Sequence, residues 1–220
     1  MTQRIQRRVS PRQQIAGRTV IPPIITVPLA PPLQQHKLLD RDEVYVVGPG
    51  PSGRVHWEDI PHDVITLVVN SAICIPELQT TFWFVKDTNC AQTPWWSKAL
   101  QVPTIRVWDP QVQQACGDLI ADYTLQIQIL PELVGYGGST ITGWVLQYLY
   151  ELTRVKHIIL CGIDMVGRNH YDLVKSHNMP LLDNGQWPQI HGLQRLIDVL
   201  VSRGITVSSL SPTALKVPLV

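Results

Sequence analysis

The chain is predicted to fold as a single Rossmann-like α/β domain, with a mostly parallel sheet and helices on both faces. Three observations carry that expectation. Short β-branched runs recur along the body, most of them closing on Gly, Asn or Asp. Helical patterns separate them, and the last unit reads strand–helix–strand. Two of the runs also end in loops of small residues, Gly48-Pro49-Gly50-Pro51-Ser52-Gly53 and Gly162-Ile163-Asp164. In open α/β sheets ligands bind beyond the carboxyl ends of the strands, where small residues admit a phosphate and bare N–H groups serve as donors.

Residues 1–40 stand apart from this body. Five arginines from Arg4 to Arg18 precede the first acidic residue, Asp40, and Pro22, Pro23, Pro28, Pro31 and Pro32 punctuate a run of Ile, Val and Leu. Proline withholds the donors that a helix or central strand requires. The segment therefore reads as a basic, Pro-rich arm, partly disordered or packing on a neighbouring subunit. The second alternative rests on Ile24-Ile25-Thr26-Val27, which is too apolar to sit comfortably in water.

The domain proper is expected over 41–220. Val44-Tyr45-Val46-Val47 has the character of a strand covered on both faces. Ile65 to Val69 repeats it and ends at Asn70, Phe82 to Val85 ends at Lys86-Asp87, and Thr104 to Trp108 closes at Asp109-Pro110. Leu125 to Leu130 alternates with glutamine, as an edge strand or an extended loop does. Trp144 to Leu152 lacks Pro and Gly and sets Val145, Leu149 and Leu152 on one helical stripe. His157 to Cys161 is the next strand. Leu193, Leu196, Ile197 and Leu200 recur at helical spacing until Gly204 stops them, and Ile205-Thr206-Val207 is the last strand. Val46, Leu67, Phe84, Ile159 and Val207 are the expected core.

The stretch 165–190 is polar and dotted with aromatics. Placed after a strand's carboxyl end, it suits a substrate lid, since loops this long are usually functional or disordered.

Composition narrows the class. The 220 residues are 45% hydrophobic and 16% charged, as in a folded protein, and the net charge of +1 gives no general attraction for nucleic acid or anionic membrane. Cys74, Cys90, Cys116 and Cys161 share no CxxC spacing, so reduced thiols are expected, with no zinc site and no disulfide framework. With neither an apolar span nor a leader-like run, the expected location is cytoplasmic.

The candidate site residues follow from the strand ends. Gly48, Gly50 and Gly53 formally fit GxGxxG, with Gly50 for close approach and Ser52 for a hydroxyl donor, although Pro49 and Pro51 remove two N–H groups. A tight turn without a ligand is the other reading. Asn70 offers an amide to a base or ribose edge. Asp87, an acceptor when ionised, suits ribose hydroxyls or magnesium; for both residues the alternative is a local Asx turn. His191, with His170 and His177 as rivals, is the candidate general acid or base, or else a helix cap. Tyr171 is a candidate donor to a leaving phosphate.

Taken together, these blocks resemble the bacterial sialyltransferase family of the Campylobacter lipooligosaccharide type. They also resemble the related group of motility accessory factor glycosyltransferases and archaeal 6-hydroxymethylpterin diphosphokinases. The resemblance is carried by Val46 to Ser52, Val68-Val69-Asn70-Ser71, Thr142-Gly143, Ile158 to Asp164, and Arg203 to Val207 with Leu210-Ser211-Pro212. It implies that Gly50, Asn70, Thr142 and Gly143 surround the nucleotide, that Ser52 meets the phosphate, and that His191 is catalytic. Pro49 stands where the sialyltransferases carry asparagine, and Val166 where they carry a tyrosine that Tyr171 would have to replace.

The implied activity is transfer of sugar from a nucleotide-activated donor, a CMP-sugar, to a glycan or small hydroxyl acceptor, with no cofactor required. An ATP-dependent diphosphokinase acting on a pterin-like alcohol is the alternative enzyme, with Mg²⁺ on Asp87 or Asp164. A non-catalytic nucleotide-fold binding or assembly protein is the third reading. A homo-oligomer formed through the arm is compatible with each.

Overall fold

The computed structural model describes residues 41–125, 140–167 and 181–220, apart from the side chains of Glu151 and Leu152. The N-terminal arm therefore lies outside the described residues, as does most of the expected lid.

Among the described residues seven strands form one sheet: β1 (Glu43–Val47), β2 (Ile65–Val69), β3 (Phe82–Val85), β4 (Ile105–Trp108), β5 (Tyr123–Thr124), β6 (His157–Cys161) and β7 (Thr206–Ser209). Their order is β5-β4-β3-β2-β1-β6-β7, and every neighbouring pair is parallel. The chain steps outward from β1 to β5, then returns to the far side of β1 to lay down β6 and β7. The expected Rossmann-like architecture is present, and strand order reverses between β1 and β6.

Right-handed crossovers in opposite directions place their connections on opposite faces of a sheet. One face is covered by two long helices, α4 (Ile141–Leu152) and α5 (Ile190–Ser202). Trp144, Val145, Tyr148 and Leu149 of α4, with Leu193, Leu196, Ile197 and Leu200 of α5, are buried in one cluster with Val46, Leu67, Phe84, Leu160 and Val207. Among the described residues the other face is covered by short pieces: α1 (Gly53–His56), α2 (Trp96–Ala99), α3 (Pro110–Ala115), and 3₁₀ turns at Trp57–Asp59, Asn70–Cys74 and Thr88–Gln92. These connections are built of single turns, and indole rings supply the depth that longer helices give on the first face. Trp83 lies 5.1 Å from Trp96 and 5.8 Å from Trp108, centroid to centroid, and Trp95 closes the group. All five expected core residues are buried, Ile159 on this second face.

Of the boundaries that differ from the sequence expectation, two bear on the carboxyl edge and the sheet's rim. The edge strand is Tyr123–Thr124, with Leu125 N–H continuing the ladder to Trp108 O at 2.9 Å; residues 126–130 lie outside the described part. Helix α4 starts at Ile141, not Trp144, because the Thr140 hydroxyl accepts the Gly143 N–H at 3.0 Å and starts the helix ahead of the glycine. Among the described residues no helix is long and apolar enough to cross a membrane.

Candidate functional site

The two glycine-containing loops meet at the carboxyl ends of β1 and β6, where the strand order reverses. They are sewn to each other. Gly48 N–H donates to Cys161 O and Gly50 N–H to Gly162 O, each at 2.8 Å. A Cβ on Gly50 would stand 2.5 Å from Gly162 O, and one on Gly162, whose φ is +66°, would stand 2.4 Å from Gly48 O. The glycines serve this mutual approach. Ser52 then donates its N–H to Asp164 Oδ2 at 3.0 Å and its hydroxyl to Asp164 Oδ1. Gly53 N–H is used by Gly50 O. The bare N–H donors expected between Gly48 and Gly53 are thus engaged within the protein, since two prolines supply none and the rest bond internally.

Asp164 is buried, which raises its proton affinity; the Ser52 hydrogen bonds and the nearby His56 oppose that rise. A C-terminal segment fastens the same loop from below. Ser211 Oγ accepts Gly162 N–H at 2.9 Å, Thr213 Oγ1 donates to Ile163 O at 2.6 Å, and Ala214 N–H donates to Asp164 O at 2.9 Å.

Asn70 stands one strand away, at the end of β2. It is half-buried, and its backbone is left-handed at φ 49°. Its carbonyl accepts the Trp83 indole N–H at 3.0 Å, and its Oδ1 accepts the Cys90 thiol at 3.7 Å. Asp87 is exposed at the end of β3 and heads the 3₁₀ turn Thr88–Gln92, where its carbonyl takes Cys90 N–H at 3.0 Å. Between Asp87 and Asp164 lie three strand spacings, about 14 Å at ~4.8 Å each. A single Mg²⁺ cannot be shared by the two carboxylates across that distance, so each would have to hold a metal alone.

Helices α4 and α5 run antiparallel to the strands, so both begin at the carboxyl edge. Trp144 in the first turn of α4 packs edge-on against Phe84 near the end of β3, 5.7 Å between centroids. That contact brings the first turn of α4, which holds the buried Thr142 and Gly143, toward β3. The insertion's two ends are zipped into a short antiparallel root: Val166 pairs with Gln186, Trp187 N–H donates to Met165 O at 3.0 Å, and Gly167 N–H donates to Gly185 O at 3.1 Å. The root delivers α5, and His191 sits exposed in its first turn on the same edge. Tyr171, His170 and His177 lie outside the described residues.

Sequence reasoning missed three contributors. Lys86 follows β3 half-buried, its ammonium proton held less tightly because of burial while Asp109 and Asp87 pull the other way. A lysine closing a wholly apolar strand was the available signal. Cys90 and Trp83 hold Asn70, and no local pattern announces either, because both contacts join residues far apart in the sequence. An open cavity of about 570 Å³ lies at the opposite, amino-terminal edge between His62, Thr81 and Thr104. Ligands of such sheets gather at the carboxyl edge, so it is a poor rival.

No protein-family profile matches the chain, and no match was found among curated proteins. Among solved structures it is similar to the sialyltransferase CstII bound to a trisaccharide acceptor and CMP, at 14% identity and a TM-score of 0.46, covering 80% of this chain and 85% of that one. CstII of Campylobacter jejuni bound to cytidine-5'-monophosphate gives 14% identity and a TM-score of 0.48, over 78% and 80% of the two chains. The apo alpha-2,3-sialyltransferase of the same organism gives 13% and 0.42, over 78% and 76%. At these values the likeness concerns the course of the chain and not its chemistry.

Proposed function

We propose that the protein is a transferase that takes a nucleotide-activated sugar, a CMP-sugar, and passes the sugar to a glycan or small hydroxyl acceptor. The observation that carries this reading is that Asn70 ends β2 at the carboxyl edge where strand order reverses, and that the helices bearing Thr142, Gly143 and His191 in their first turns begin at that edge. Asn70 meets the base or ribose. The first turns of α4 and α5 offer the positive ends of their helix dipoles to the donor phosphate, in place of the sealed loop Gly48–Gly53. His191 takes the acceptor's proton or assists departure of the nucleotide, with Tyr171 as a donor to the leaving phosphate.

Hydrogen bonds of this kind stabilise a phosphate leaving group without a metal cofactor. Calorimetry across cytidine, uridine, adenine and guanine nucleotides tests the donor. Cytidine nucleotides binding no better than adenine ones overturn it, and Mg²⁺-dependent ATP binding turns the reading to diphosphate transfer.

A second reading has its own support. The engaged amides of Gly48, Gly50, Ser52 and Gly53, with Val166 in place of a tyrosine, favour a nucleotide-fold binding or assembly protein without turnover. Turnover of any donor that is lost in His191→Ala and kept in Val201→Ser excludes it. We further propose, in either case, that residues 22–33 of the arm pack on a neighbouring subunit in a homo-oligomer. Deleting residues 1–36 then lowers the mass in light scattering and leaves nucleotide affinity intact, as no ligand group precedes Gly48.

A further inference from the structure

A carboxamide is ambiguous as a reader of ligands, because half a turn about its last bond exchanges an acceptor for a pair of donors. At Asn70 that ambiguity is removed. The left-handed backbone, φ 49°, is a conformation that asparagine tolerates better than most residues. The Trp83 indole N–H pins the Asn70 carbonyl at 3.0 Å, so the residue cannot swing with its loop. The remaining freedom belongs to the side chain, and there the Cys90 thiol meets Oδ1 at 3.7 Å.

We propose that Cys90 is a positioning residue: its thiol occupies the acceptor end of the Asn70 carboxamide, so that Nδ2–H₂ is presented as a donor to an acceptor atom of the bound nucleotide. The proposal rests on reading the carboxyl edge as a nucleotide site. Cys90 is buried, and burial together with the Asp87 charge pushes its thiol up to about 12. It therefore keeps its proton at neutral pH and has one to donate to Oδ1, the amide atom that it faces. The group facing the amide must then be an acceptor, such as a pyrimidine ring carbonyl, an unprotonated ring nitrogen or a ribose oxygen. An exocyclic amine in that place would set donor against donor and leave both unpaired.

The test uses the full chain labelled with ¹⁵N-asparagine, with the Asn70 amide pair assigned by its loss in Asn70→Asp. Cys90→Val keeps the volume and removes the donor; Cys90→Ser restores one. The amide pair is expected to shift in Cys90→Val and to return toward its original position in Cys90→Ser. CMP affinity by calorimetry is expected to fall roughly three- to tenfold in Cys90→Val, the effect of one weak hydrogen bond, and to recover in Cys90→Ser. An amide pair that ignores Cys90→Val overturns the positioning role, whatever the ligand. A pair that responds to Cys90→Val but to neither cytidine nor adenine nucleotides overturns the donor role together with the nucleotide reading. Melting temperatures within a few degrees of the parent confirm that the variants fold, and Cys90→Ala replaces Cys90→Val if the latter does not.

Discussion

Asp164 receives two hydrogen bonds from one residue, and their competition with burial sets its titration. Burial is the larger influence and raises its pKa above the ordinary 3.8; the Ser52 hydrogen bonds hold the rise back. A carboxyl whose folded pKa is raised binds its proton more tightly in the folded protein than in the unfolded chain. Its contribution to stability is therefore fully present below the unfolded value and is lost as pH rises through the folded value. Asp164→Asn removes that loss, so the parent should weaken relative to the variant as pH rises from about 4, then run parallel to it once the carboxyl is ionised. Urea unfolding at stepped pH reads this, and a slope of opposite sign would mean that Ser52 outweighs burial. Ser52→Ala deletes the hydroxyl bond to the carboxylate and should cost about 1.5–3 kcal/mol at neutral pH, the range for bonds to a charged group. The same variant should move the Asp164 carboxyl further up in a ¹³C titration.

The inner strands were legible in the sequence because they are covered on both faces, whereas the half-exposed edge strand Tyr123–Thr124 was not. Residues such as Val44–Val47 and Phe82–Val85 had to be apolar at every position, and nothing else in the chain forces such runs. The helices α4 and α5 showed their stripes for the same reason. The tryptophan-lined face was not legible, since the depth that Trp83, Trp95, Trp96 and Trp108 fill exists only once the short connections are folded. The loop after β1 shows a subtler failure. GxGxxG spacing marks a close approach, but it does not say whether a phosphate or the chain's own carbonyl approaches. Here the carbonyl of Gly162 does, so Gly50→Ala should force the two junctions apart. It is expected to cost at least 2 kcal/mol in chemical denaturation and to speed hydrogen exchange at Gly48 and Gly50, whose bonds to the β6 loop it strains. Phe84→Ala, under Trp144 and Tyr148, belongs to the core class at about 3–5 kcal/mol, and it should also loosen the first turn of α4.

A parallel sheet has two edges, and each is a template for pairing with another chain. At one edge β5 is only two residues long, and the Asp122 carboxylate takes the Arg106 N–H at 2.8 Å. At the other, the C-terminal residues lie beside β7: Ser209 N–H donates to Pro218 O at 2.8 Å, and Val220 N–H donates to Ser209 O at 3.0 Å. The segment before them has a different task. Thr213 and Ala214 hold the backbone of Ile163 and Asp164, and Leu215 is buried in the helix-covered core. Two truncations should therefore separate edge protection from support of the site. Removing residues 216–220 bares the β7 edge, and its expected effect is self-association that grows with concentration in light scattering, with the carboxyl edge intact. Removing residues 213–220 also frees the loop Gly162–Asp164. It should lower the melting temperature further and weaken nucleotide binding even at concentrations where the protein is monomeric. Equal nucleotide affinity in the two truncated chains would mean that the ties from Thr213 and Ala214 contribute to the fold alone and not to the site.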